Sequence, residues 1–145
     1  MGRVEVRAPL YPTEDEEKVR AAIQNILTPD EWRVVEEGGR QFLEASSNVI
    51  TCLTKLRERL RRQRTLDAAR YMMRRFSSAN ELTFYLHKQA AYVGYAVFCL
   101  PEGESPLGAI KVTVKASDIK RVLDWLAPPT EDGRPKFEVD APEDP

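Results

Sequence analysis

Nine of the chain's Lys and Arg side chains lie between Lys55 and Arg75, where only Glu58 and Asp67 oppose them. This local excess of seven positive charges belongs to a 145-residue chain whose net charge is −1. Clustered guanidinium groups attract phosphate through bidentate donation and counterion release. Arg57, Arg61, Arg64, Arg70 and Arg74 are therefore candidate contacts to the backbone of structured RNA. Two plainer outcomes compete. The stems can lie along apolar surface with solvated heads, or the acidic segments of the chain can fold back and neutralise the cluster. Residues 1–45 carry six basic and ten acidic groups, and residues 128–145 carry two and six.

Other reactive side chains point to no catalytic site. His87 is the only histidine, and no Ser or Cys stands in a recognisable arrangement with it, so it reads as a polar strand residue. Glu14, Asp15, Glu16 and Glu17 are consecutive. On a helix they diverge, and acids in a first turn favour the macrodipole, so they read as helix-starting residues and not as metal ligands. Cys52 and Cys99 are isolated and read as buried thiols. Gly103 and Gly108 share the spacing of two phosphate-loop glycines, but no Lys-Ser or Lys-Thr follows, and the segment precedes a strand, which rejects a nucleotide triphosphatase. No enzyme, metal, cofactor or small-molecule substrate is expected.

The elements that must carry the basic cluster follow from periodicity. Val49, Leu53, Leu56 and Leu60 form one helical stripe, which lapses at Gln63 and Arg64 and resumes, rotated, at Leu66, Ala69, Met73 and Phe76. Two helices are expected, the first capped from Ser46, Ser47 or Asn48 and the second by Thr65. Upstream, Arg3 to Leu10 alternates as a strand, and Thr13 with Glu16 forms a capping box for a helix from Glu14 to about Leu27. Trp32 to Ala45 reads as a hairpin around Gly38-Gly39. It opposes Glu37 to Arg40, Val35 to Phe42 and Arg33 to Glu44 on one face, with Trp32, Val34, Leu43 and Ala45 on the other.

Downstream, strands are expected at Glu81–His87, about Tyr92–Leu100 and Leu107–Lys115, with a turn from Pro101 to Pro106. A helix capped by Ser117 should run from Asp118 to Ala127, and Pro128-Pro129 stops it. The whole is a single α+β domain over residues 1–133, a largely antiparallel sheet with helices on one face, followed by an acidic, Pro-containing tail from 134 to 145 with little to bury. The opposite sheet face would present Tyr85, His87, Lys111 and Lys115, and with Val35 and Phe42 it supports the alternative of a protein-interaction or homodimerisation module. The N-terminus lacks the apolar run of a signal peptide and no segment is long enough to span a bilayer, so a cytoplasmic protein is expected.

At Tyr11-Pro12-Thr13-Glu14-Asp15, Lys88-Gln89-Ala90-Ala91, Pro106-Leu107-Gly108-Ala109-Ile110 and Asp124-Trp125-Leu126-Ala127-Pro128 the chain resembles an archaeal family of uncharacterised proteins. That family carries an RNA-binding and, in places, an exosome-related label. The resemblance covers residues 3 to about 133 and implies a fold similar to ribosomal protein L5. Its block at Lys88 and Gln89 adds an amine and an amide beside the sheet as candidate contacts to a phosphate or base edge.

Overall fold

A computed structural model describes residues 3–100 and 108–142. The expected turn at Pro101–Pro106, with Gly103, lies outside them. Five strands form one antiparallel sheet in the order β2-β3-β1-β5-β4: β1 (Arg3–Leu10), β2 (Glu31–Glu37), β3 (Arg40–Ser47), β4 (Glu81–His87) and β5 (Ala109–Lys115). Alternation decides which face is covered. Val4, Val6 and Ala8 of β1, Leu82, Phe84 and Leu86 of β4, and Ile110, Val112 and Val114 of β5 are all buried under the helices. Arg3, Glu5 and Arg7 point the other way, as do Thr83, Tyr85 and His87 and Lys111, Thr113 and Lys115.

The helices are α1 (Glu16–Gln24), α2 (Thr54–Gln63), α3 (Leu66–Arg75), α4 (Lys88–Tyr92) and α5 (Ile119–Leu126), with a 3-10 turn at Ile50–Leu53 ahead of α2. A small ribbon, β6 (Thr130–Glu131) with β7 (Arg134–Pro135), follows α5. Each buried Leu on α2, Leu56 and Leu60, contributes about 1.5–3 kcal/mol by leaving water. That is what holds a helix of such high charge against the core.

The hairpin register is the one that side-chain pairing predicts: Glu37 lies opposite Arg40, Val35 opposite Phe42 and Arg33 opposite Glu44. Gly38 and Gly39 both have positive φ, 57° and 79°, the backbone of a two-residue type I′ turn. The break between the basic helices also falls where the apolar stripe lapses, with Arg64 left-handed at φ 57° and ψ 42°.

Four local expectations are corrected. Helix α1 is capped by Asp15, whose carboxylate accepts from the Glu17 N–H, because Glu14 is drawn off to Lys88 and Thr13 stays outside the helix. Asp118 and not Ser117 caps α5, accepting from the Arg121 N–H at 3.1 Å. Neither α2 nor α3 has a side-chain cap: Ser47 Oγ instead accepts from Val49 N, and Thr65 Oγ1 is buried without a partner. No strand forms at Tyr92–Leu100: helix α4 ends at Tyr92, and the residues after it are irregular with a single bridge, Leu86 to Phe98. Asn25 Nδ2 donates to Ala91 O at 2.8 Å and so holds the end of α4. Gln63 exchanges two bonds with Ala96, donating to its carbonyl and accepting from its N–H.

The last described residues are not a free tail. Val139 and Ala141 pack against the core, and the segment therefore buries more than its composition suggests.

Candidate nucleic-acid interface

The amphipathic spacing of α2 places Arg57 and Arg61 one turn apart, facing α5 and the C-terminal segment. Arg57 donates to Trp125 O at 3.0 Å and pairs with Glu138. Arg61 donates to Leu126 O at 3.2 Å and through Nε to Glu138 Oε2 at 3.1 Å. The Arg61 hydrogen bond, above all, holds the Glu138 carboxyl below its usual value. On α3, Arg70 meets Asp124 at 2.9 Å and Ala127 O at 3.0 Å. These three guanidinium groups occupy the last carbonyls of α5, groups that a helix end leaves without internal partners. The side chains of Arg57, Arg61 and Arg70 are only about one-fifth exposed. The acidic segments therefore do fold back on part of the basic cluster.

Lys88 is drawn further in. It starts α4, is completely buried, and donates to Pro9 O at 2.6 Å and to both Glu14 oxygens at 3.0 and 3.2 Å. Burial lowers its pKa while Glu14 opposes that shift. Tyr92 donates its hydroxyl to the same carboxylate, and burial together with Glu14 pushes the phenol up to about 12. The amine expected beside the sheet is thus an internal brace between α4, the end of β1 and the turn ahead of α1, beyond the reach of a phosphate in this conformation. Its neighbour Gln89 is exposed.

What remains open lies on the solvent side of the same helix pair. Arg62, Arg64, Arg74 and Arg75 are exposed, and among the described residues none has a carboxylate partner. Tyr71, 66% exposed, stands among them. Asp67, Arg70, Tyr71, Arg74 and Arg75 line a groove of about 530 Å³ along α3. Arg75 also sits over the Phe76 ring, which meets Tyr85 edge-on with centroids 5.5 Å apart. Of the expected contacts, Arg64, Arg74 and Gln89 remain accessible, whereas Arg57, Arg61, Arg70 and Lys88 are engaged within the protein. Arg62, Arg75 and Tyr71 were not singled out from sequence, although spacing from Leu56 and Leu60 on α2 puts Arg62, and spacing from Leu66 and Ala69 on α3 puts Tyr71 and Arg75, away from the apolar stripe.

The outer sheet face is electrically different. It forms a concavity of about 360 Å³ with five cationic side chains, Arg3, Arg7, Arg33, Lys111 and Lys115, and four carboxylates, Glu5, Glu31, Glu44 and Glu81. Arg33 meets Glu44 at 2.8 Å, Arg7 pairs with Glu37 and Glu44, and Lys115 meets Glu5 at 2.9 Å. Its charges are largely matched. Cys52 and Cys99 are buried, and burial raises Cys52 to about 11. Among the described residues no group of His, Cys, Asp and Glu could hold a metal ion, and no helix is long and apolar enough to cross a membrane.

An antiparallel sheet backed by helices, with exposed arginines on a helix pair, defines a small α+β protein. A family model described as RNA binding matches residues 3–116. The chain belongs to the UPF0201 family of archaeal proteins. It is 43% identical over 142 residues to a UPF0201 protein of Aeropyrum pernix, covering 97% of this chain and 95% of that one. A UPF0201 protein of Metallosphaera sedula is 45% identical over 144 residues, covering 99% and 100%. Among solved structures, the UPF0201 protein from Methanococcus jannaschii superposes with a TM-score of 0.80 at 33% identity, covering 95% of this chain and 99% of that one.

Proposed function

We propose that this protein is a non-enzymatic RNA-binding protein that holds the phosphate backbone of structured RNA with the solvent-facing arginines of α2 and α3. Arg62, Arg64, Arg74 and Arg75 make the phosphate contacts, and Tyr71 supplies a ring against which sugar or base can rest. The observation that carries this reading is that these four guanidinium groups are exposed and have no internal carboxylate, in a chain whose family model is described as RNA binding. Arg57, Arg61 and Arg70 act indirectly, by fixing α2 and α3 against α5. The matched charges of the outer sheet face favour the helix side for a polyanion, since a phosphate arriving there would meet carboxylates as often as cations.

Binding of this kind is salt-sensitive and only weakly sequence-specific. A gel-shift titration of structured RNA at rising salt tests it. The variant carrying Arg62→Glu, Arg64→Glu, Arg74→Glu and Arg75→Glu is expected to lose most affinity and to flatten the dependence on log salt, by roughly one in slope per phosphate contact removed. Unchanged affinity and slope in that variant would overturn the assignment.

A further inference from the structure

The two edges of the sheet are finished differently. Along β4 the edge is occupied: His87 N donates to Val97 O at 2.8 Å, Cys99 N donates to Tyr85 O at 2.9 Å, and the side chain of Gln63 takes both backbone groups of Ala96 one step further out. Strand β2 has β3 on one side and, among the described residues, no strand on the other. Its faces are only partly covered: Trp32 packs against the core, but Val34 on the same side is 41% exposed and Val35 is half-buried on the outer side.

The turn fixes which backbone groups are idle. In a two-residue hairpin the residues flanking the turn, here Glu37 and Arg40, exchange both bonds, and narrow and wide pairs then alternate. Glu37, Val35 and Arg33 are therefore bonded to β3. The N–H and C=O groups of Glu36, Val34 and Trp32 point outward, three donors and three acceptors in strand geometry.

We infer that this edge pairs with β2 of a second copy of the chain, antiparallel about a two-fold axis at Val35, to make one continuous ten-stranded sheet. The charges select that register. A two-fold at Val35 sets Arg33 of each copy opposite Glu37 of the other, Val35 against Val35, and Val34 opposite Glu36 in the narrow pairs that exchange backbone bonds. An axis at Val34 would oppose Glu31 to Glu37 twice and Trp32 to Glu36. An axis at Arg33 would oppose two arginines. Charged residues on an edge strand ordinarily deter pairing; here like charges deter the registers centred on Arg33, Val34 and Glu36, and the one centred on Trp32, which also opposes Arg33 to Glu31, overlaps only three residues of β2 against five. Glu37 already meets Arg7, and Arg33 already meets Glu44, so the partner's side chains extend a charge row that each copy holds in place before contact. An overlap of five residues buries little area, and the dimer is concentration-dependent.

Sedimentation equilibrium over a wide concentration series, on the full chain, is the test. The wild type should move from monomer to dimer mass. Arg33→Glu alone and Glu37→Arg alone each oppose like charges at both contacts and should weaken self-association roughly ten-fold, while an equimolar mixture of the two single variants should dimerise again, because each supplies the charge that the other lacks. Circular dichroism confirms that both variants are folded. Val34→Pro, which removes an outward N–H without touching the ladder to β3, should also leave a monomer. A wild type that stays monomeric at the highest concentration overturns the inference, as does a dimer that survives both charge reversals, or a mixture that fails to recover.

Discussion

Arg57, Arg61 and Arg70 share their helices, their residue type and their sequence neighbourhood with Arg62, Arg64, Arg74 and Arg75, yet the two groups do different work. The first group faces α5 and the C-terminal segment, donates to main-chain carbonyls and meets Glu138 and Asp124. The second group faces solvent and, among the described residues, has no carboxylate partner. Rotating a side chain from one flank of a helix to the next thus converts an exposed cation without a carboxylate partner into a structural brace. Local charge density measures how many guanidinium groups are present, and the fold decides how many are offered.

That contrast can be broken in order of expected effect. Lys88 is the extreme of the engaged group, so Glu14→Ala, which strands its buried ammonium, should cost about 3–5 kcal/mol in chemical denaturation. Lys88→Met alone should cost a comparable amount, because it leaves the Glu14 carboxylate, only 5% exposed, without its cation. A Glu14→Ala protein as stable as wild type would show that the pair is not the brace described here. On α2, Arg61→Ala should destabilise by about 1.5–3 kcal/mol through the loss of charge-assisted bonds to Leu126 O and Glu138, while leaving the slope of RNA affinity against log salt unchanged. An Arg61→Ala protein of full stability but weakened RNA binding would reverse the assignment of the two groups.

Acid provides a gentler probe. The folded pKa of Glu138 lies below its ordinary value of 4.5, first because of the hydrogen bond from Arg61. A depressed carboxylate gives stability that is complete above the unfolded value and is lost as pH falls through the folded one. The contact of Glu138 with Arg57 and Arg61 should therefore hold above pH 4.5 and release progressively below it, seen as loss of amide protection around residues 136–142. Protection independent of pH in that range would show that the apolar contacts of Val139 and Ala141 suffice. The smallest effect is expected at Thr65, whose buried hydroxyl has no partner. Thr65→Val removes that unmet group at nearly constant volume and should leave the melting temperature unchanged or slightly higher.

How much of this is legible without coordinates depends on the range of the interactions. The strand at Arg3–Leu10, the hairpin register and the break at Arg64 are all set by neighbours a few residues apart, and periodicity finds them. Residues 88–100 are different. Ala90 and Ala91 favour a helix, but the aromatic and β-branched residues from Tyr92 to Val97 suit a strand, and the deciding bonds come from Asn25 and Gln63, which are remote in sequence. The partners of Lys88 and Arg61 are just as remote, 74 and 77 residues away. Charge counts show that acidic segments exist to match the basic helices, but only the docking of residues 136–142 shows which arginines they take.

That docking bears on how the protein is handled. Cleavage ahead of Glu138 would remove the carboxylate that clamps α2 and bare Arg57 and Arg61 at the surface. On the proposed function, the shortened product should bind RNA more strongly than the intact molecule, so affinities measured on clipped material would overstate those of the undamaged protein.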